Sequence, residues 1–224
     1  NLNLCDPGWI PVPDPLTYPP ETIDSMLARY SRAINVTADS IFALSMNSSI
    51  KEEWGFPFVQ KGNDIYAKRC TTIHETDMVI LDRYKDVGEV IMGELHTHPD
   101  SSPNPLNRSA PSGDDLETFN INSRLNYTLF VECGNVRYSL VIENVALARV
   151  FLANHPTDLL SYDQQVIAQT QTNWQTDWQT ATQIALAQLL GNSSTCGIGF
   201  YKSDSTKTNF SKLIYSLIVN HFTI

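Results

Sequence analysis

The chain is short of charge, of long apolar runs and of paired cysteines, and each shortage removes a class of function. Charged residues make up 17% of the 224 residues, with Lys+Arg 15 against Asp+Glu 24 and a formal net charge of -9. Lysine and arginine gather into no stripe that could neutralise successive phosphates, so nucleic acid is not an expected partner. No apolar run reaches the roughly 18 to 20 residues that a membrane-spanning helix needs. The first residues lack the basic and apolar regions of a signal peptide. A soluble chain with no membrane span is the expectation. The cysteines, Cys5, Cys70, Cys133 and Cys196, form no CxxC pair. A zinc ribbon or dithiol redox motif is therefore excluded, while two disulfides and free buried thiols both remain compatible with the count.

What the chain does contain is a 42% hydrophobic fraction, enough to fold into a core. Asn, Ser, Thr and Gln are abundant throughout. The N-x-S/T triplets at Asn35, Asn47, Asn107, Asn126, Asn192 and Asn209 are what such a composition generates without any glycosylation, although they would also suit a secreted protein.

Punctuation divides the chain into three parts. Residues 1–20 carry Pro7, Pro11, Pro13, Pro15, Pro19 and Pro20, a density that forbids regular helix and predicts an extended arm. From Glu21, apolar positions at Ile23, Met26, Leu27, Tyr30 and Ile34 recur at three- and four-residue spacing and predict an amphipathic helix, with a second short helix over 38–46. EEWGFPFVQKGNDIYAKRC alternates and turns at Gly-Asn-Asp, a hairpin pattern. MVILD (78–82) and VIMGELHTH (90–98) have the apolar, β-branched character of central strands. A helix is predicted to start near Ser112. YTLFVE and RYSLVI follow as two strands around a Gly-Asn turn. Residues 161–190 have helical spacing, with Trp174 and Trp178 on one face and Gly191 as the stop. GIGFYKS and KLIYSLIVNHF are apolar enough to return to the core. The resulting organisation is an arm at 1–20, a domain at 21–151 and a C-terminal extension at 152–224.

The chemistry concentrates in HTHPD. Two histidines at i and i+2 on an extended strand project to the same side, so His96 and His98 can both reach one cation at roughly 2.0 to 2.1 Å. Pro99 ends the strand directly afterwards. A third ligand is needed, and Asp115, one turn into the following helix, is the best-placed carboxylate, with Asp114 as its rival. Three protein ligands would leave the fourth tetrahedral position open, as in catalytic zinc sites. The other histidines, His74, His155 and His221, stand in no ligand-like cluster.

A glutamate, then HxHP, then SxxD, taken together, resemble the signature of the JAMM (JAB/MPN) zinc metallopeptidases over residues 52–115, and the EWGFPFVQKGNDIY segment is closest to bacterial JAMM-like domains. The resemblance implies an α/β fold, a JAMM/cytidine-deaminase-like mixed central sheet flanked by helices, with the arm in front and a helical extension behind. It implies one Zn2+ per chain held by His96, His98 and Asp115. Ser112 would support the tetrahedral intermediate. For the acid/base the bacterial pattern selects Glu53 and the deubiquitinase spacing Glu52, and Glu53 places more of the segment in register. The implied reaction is hydrolysis of a peptide or isopeptide bond, on a protein or peptide substrate with ubiquitin-like proteins among the candidates. The bacterial likeness carries with it a toxin or effector role. The stretch 99–111 is longer than in the family's deubiquitinases, which weakens any transfer of substrate. Two other readings compete: a JAMM fold used as a protein-interaction module, and a binuclear HxHxD hydrolase, which would need further downstream histidines.

Overall fold

The computed structural model describes residues 21–47, 52–69, 73–74, 79–81, 84–99, 110–113, 115–116, 119, 124–154, 168, 171–173, 178–191 and 193–216. The N-terminal arm, Cys5, Cys70, Asp114, Trp174, His155 and His221 lie outside them.

Helix α1 spans Ile23–Asn47 and starts at Thr22, whose Oγ1 accepts the Ser25 N–H at 3.3 Å as a helix cap. Its buried face, Met26, Leu27, Tyr30, Ile34, Ala38 and Ile41, repeats every three or four residues. One helix replaces the two expected over 21–34 and 38–46. Asn35, Val36 and Thr37 are weak helix formers, but none is a breaker, and the unbroken apolar face lets packing carry the helix across them.

The sheet is mixed and seven-stranded, in the order β2-β1-β5-β6-β7-β8-β9. β1 (Gly55–Lys61) and β2 (Asp64–Ala67) form the expected hairpin, turning at Gly62 with φ 59°. β5 (Val90–Thr97) pairs antiparallel with β1 and parallel with β6 (Thr128–Cys133). β6 and β7 (Val136–Ile142) are antiparallel around Gly134, at φ 61°. β8 (Ile198–Ser203) and β9 (Phe210–Lys212) complete the edge. The sheet therefore continues past residue 151 and draws its last two strands from the C-terminal stretch. MVILD is not a central strand: among its described residues Val79–Ile80 is extended, as β4, and it pairs with β3 (Ile73–His74) in a separate two-stranded sheet. Apolar, β-branched composition favours an extended segment, but β-propensity does not choose a partner.

Each face of the sheet buries its own core. α1 covers one, against Phe56, Phe58, Leu95, Phe130, Val141, Tyr201 and Phe210. The other packs Leu129, Val131, Leu140, Ile142 and Phe200 against Leu116, Phe119 and the helices α2 (Val145–Asn154) and α3 (Trp178–Leu190). α3 stops at Gly191, φ 58°, whose N–H returns to the Ala187 carbonyl at 3.0 Å. A four-residue helix, α4 (Ser193–Cys196), leads into β8. With both faces covered, the central strands are buried almost throughout, and their sequences read as near-continuous apolar runs.

Candidate metal centre

Alternation along β5 separates its side chains. Leu95 enters the core beneath α1, and His96 faces the other way, level with Gly55 of β1 and Val131 of β6. The ladder with β6 continues one residue beyond the strand, where the His98 N–H donates to the Glu132 carbonyl at 2.8 Å. It ends at Pro99, which has no N–H to give. His96 and His98 are both buried, and their Nε2 atoms converge to 3.1 Å.

Asp115 reaches the same point from the connection between β5 and β6. Gly113, Asp115, Leu116 and Phe119 are helical, with Leu116 and Phe119 anchored in the core. Ser112 caps this helix reciprocally with Asp115. The Ser112 N–H and Oγ–H donate to Asp115 Oδ2 at 2.6 and 3.1 Å, and the Asp115 N–H donates to Ser112 Oγ at 3.3 Å. This is a capping box with aspartate in place of the usual glutamate. It leaves Asp115 Oδ1 facing His96 Nε2 at 3.0 Å, while Oδ2 stands 3.7 Å from His98 Nε2.

Glu53 arrives on the segment entering β1. Thr97 continues the β1–β5 pairing one position past Gly55: its N–H donates to the Trp54 carbonyl at 2.8 Å, and its Oγ1 accepts the Trp54 N–H at 2.9 Å. Gly55 makes the close approach possible, since a Cβ there would meet the Leu95 carbonyl oxygen at 2.7 Å and His96 Cβ at 3.0 Å. Glu53 is thereby buried with Oε1 3.8 Å from His98 Nε2, whereas Glu52 is half-buried.

Glu53, His96 and His98 form a buried group whose ligand atoms all lie within 4.8 Å of one another, so it could hold a metal ion. Asp115 makes a second triad with the same histidines. Bonds of about 2.0 to 2.1 Å at a tetrahedral angle put neighbouring ligand atoms roughly 3.3 Å apart. Within His96, His98 and Asp115 the separations are 3.1, 3.0 and 3.7 Å, and Glu53 stands 3.8 Å from His98. Both carboxylates therefore stand within reach of the histidine pair.

Electrostatics reinforce the convergence. Burial opposes charge on His96, but the carboxylate of Asp115, by its charge and its hydrogen bond, outweighs this and pushes the imidazole up to about 9. Burial likewise disfavours the Asp115 carboxylate, yet His96 holds it well below the usual carboxylate range. In the metal-free protein a proton on His96 therefore occupies the place of a cation.

The residues singled out in the sequence, Glu53, His96, His98, Ser112 and Asp115, all meet here. His74 lies apart, on β3. Cys133 and Cys196 are buried thiols outside any disulfide, so the cysteines do not make two disulfides. Thr97 and Gly55 were not singled out for a role, although both had a signal: a β-branched hydroxyl residue between two ligands, and a glycine where β1 must touch β5. No family model, curated protein or solved structure matches the chain.

Proposed function

We propose that this protein is a zinc-dependent hydrolase of the JAMM type, cleaving a peptide or isopeptide bond. One observation carries the reading: two buried imidazole nitrogens 3.1 Å apart, with a carboxylate oxygen at 3.0 Å and a second buried carboxylate 3.8 Å beyond. Imidazole and carboxylate donors in a near-tetrahedral set suit zinc. His96, His98 and Asp115 would hold it, with Glu53 beside them. Zinc in such a site lowers the pKa of water and polarises a carbonyl.

The remaining work falls to the chain. Glu53, buried with Oε1 3.8 Å from His98 Nε2, takes the proton of the attacking water and delivers it to the leaving amine. Thr97 and Gly55 fix the strand that presents it. Further support comes from the agreement between the motif order and the geometry, since the glutamate that the bacterial pattern selects is the one that reaches the histidines. Among the described residues Glu53, His96 and His98 are the group of three ligand-type side chains that could hold a metal ion. The substrate class is a protein or peptide, with ubiquitin-like conjugates among the candidates.

The test is zinc content by elemental analysis together with cleavage of ubiquitin chains and of generic peptide libraries. One zinc per chain, with cleavage by the wild type and none by Glu53→Gln, supports the reading. A zinc-loaded protein inert on every substrate would leave the interaction-module reading in its place.

A further inference from the structure

The two oxygens of Asp115 stand in different surroundings, and Ser112 makes the difference. Oδ2 accepts both the main-chain N–H and the hydroxyl of Ser112, at 2.6 and 3.1 Å. Oδ1 is the oxygen at 3.0 Å from His96 Nε2. A carboxylate on a metal can bind through one oxygen or both, and side-chain torsion alone would let Asp115 exchange them. Here the first turn of a helix anchored by Leu116 and Phe119 ties up Oδ2, and the Asp115 N–H holds Ser112 Oγ in return at 3.3 Å.

We propose that Ser112 is a positioning residue that makes Asp115 a one-oxygen ligand through Oδ1. This rests on the zinc-hydrolase reading and changes one part of it. The resemblance gives Ser112 a contact with the oxyanion of the reaction, but its hydroxyl proton is here directed at Asp115. The hydroxyl therefore acts on the metal through the ligand, as hydrogen-bonding partners of metal ligands do elsewhere. The capping box is then part of the metal site: the bonds that start the helix also aim its carboxylate.

The experiment compares wild type, Ser112→Gly, Ser112→Thr and Glu53→Gln by zinc titration against a competing chelator, with X-ray absorption on the loaded proteins. Glycine is tolerated as a helix cap and keeps the main-chain N–H to Oδ2, so Ser112→Gly removes the hydroxyl with little harm to the helix. Thermal unfolding in chelator checks that the fold is kept. The expected result is a zinc affinity about 10- to 100-fold weaker for Ser112→Gly, with a shift from one to two carboxylate oxygens around the metal. Affinity should be restored in Ser112→Thr and unchanged in Glu53→Gln. A Ser112→Gly protein that binds zinc as tightly as wild type, with the same coordination, overturns the positioning role and leaves the hydrolase reading standing. A wild-type protein that binds no zinc overturns both.

Discussion

Two buried polar clusters lie almost back to back at the carboxyl ends of β5 and β6, on opposite faces of the sheet. Beneath α1, Glu132 accepts from Arg137 Nε at 2.7 Å and meets Lys207 Nζ at 2.5 Å. Arg137 also donates to Ser31 Oγ at 2.5 Å, and Lys207 reaches Asp39 at 3.0 Å. Two cations face the one buried carboxylate, Glu132, with the exposed Asp39 beyond Lys207, and Lys207 adopts a left-handed backbone, φ 59°, at the turn that brings it in. On the other face, His96, His98, Asp115 and Glu53 bring together two carboxylates and two imidazole nitrogens, a set rich in lone pairs. The first cluster contains its own countercharge, and the second must borrow a proton on His96. Burial of charge is common to both, so burial does not mark the functional one. What marks it is an excess of ligand atoms aimed at one point.

The contrast can be broken by mutation. The largest effect is expected from His96→Ala/His98→Ala, which should take zinc from one per chain to none while leaving the metal-free fold in place. Elemental analysis finding unchanged zinc would reject the site. Next, Glu53→Gln should lower turnover by about 10²- to 10⁴-fold with zinc retained, as loss of a general base does, measured as kcat beside metal content. If Glu52→Gln proves to be the inactive variant instead, the mechanism stands and the register of the entry into β1 is wrong.

The opposite face should respond in stability alone. Arg137→Met leaves Glu132 with Lys207 as its remaining cation and should cost about 1 to 3 kcal/mol in denaturant unfolding, the usual penalty for taking one partner from a buried acceptor. Zinc stoichiometry should not change. A large loss of zinc in this variant would mean that the two faces are coupled through the β6 backbone.

A smaller and graded effect is expected from pH. His96 is raised from 6.5 to about 9, so its contribution to the stability of the metal-free protein is full below pH 6.5 and is lost as pH rises through 9. Asp115 is lowered from 3.8, so its contribution is present above that value and is lost as pH falls below it. Zinc must displace the His96 proton, so its affinity should rise by about tenfold per pH unit up to pH 9 and then level off. The metal-free protein thus loses this stabilisation over the range in which metal binding improves. Unfolding with and without chelator at each pH reads both trends. A flat zinc affinity between pH 6 and 9 would show that His96 carries no proton to displace.

Much of the site could be read in the sequence because it depends on short-range rules. Spacing of i, i+2 on a strand puts His96 and His98 on one side whatever the fold, and Ser-x-x-Asp caps a helix wherever it occurs. Turn chemistry likewise marked the hairpins at Gly62 and Gly134. The misreadings came where partner choice decides. MVILD had strand composition but paired outside the main sheet, and the second helix expected over 38–46 is the continuation of α1, whose buried face runs on through Ala38 and Ile41.

The sequence by itself determined which residues have ligand chemistry, which side of a strand or turn of a helix each occupies, and that the chain has apolar surface enough to fold. Only the tertiary structure decided that Glu53 meets the histidines, because that contact depends on β1 lying against β5 with Gly55 and Thr97 in register, a pairing between segments about 40 residues apart. It also decided which carboxylates are balanced and which are not. Glu132 and Glu53 are both buried glutamates, and what separates them is the countercharge that distant elements bring. Local periodicity sets direction, but long-range packing sets neighbours, and a buried charge takes its role from its neighbours.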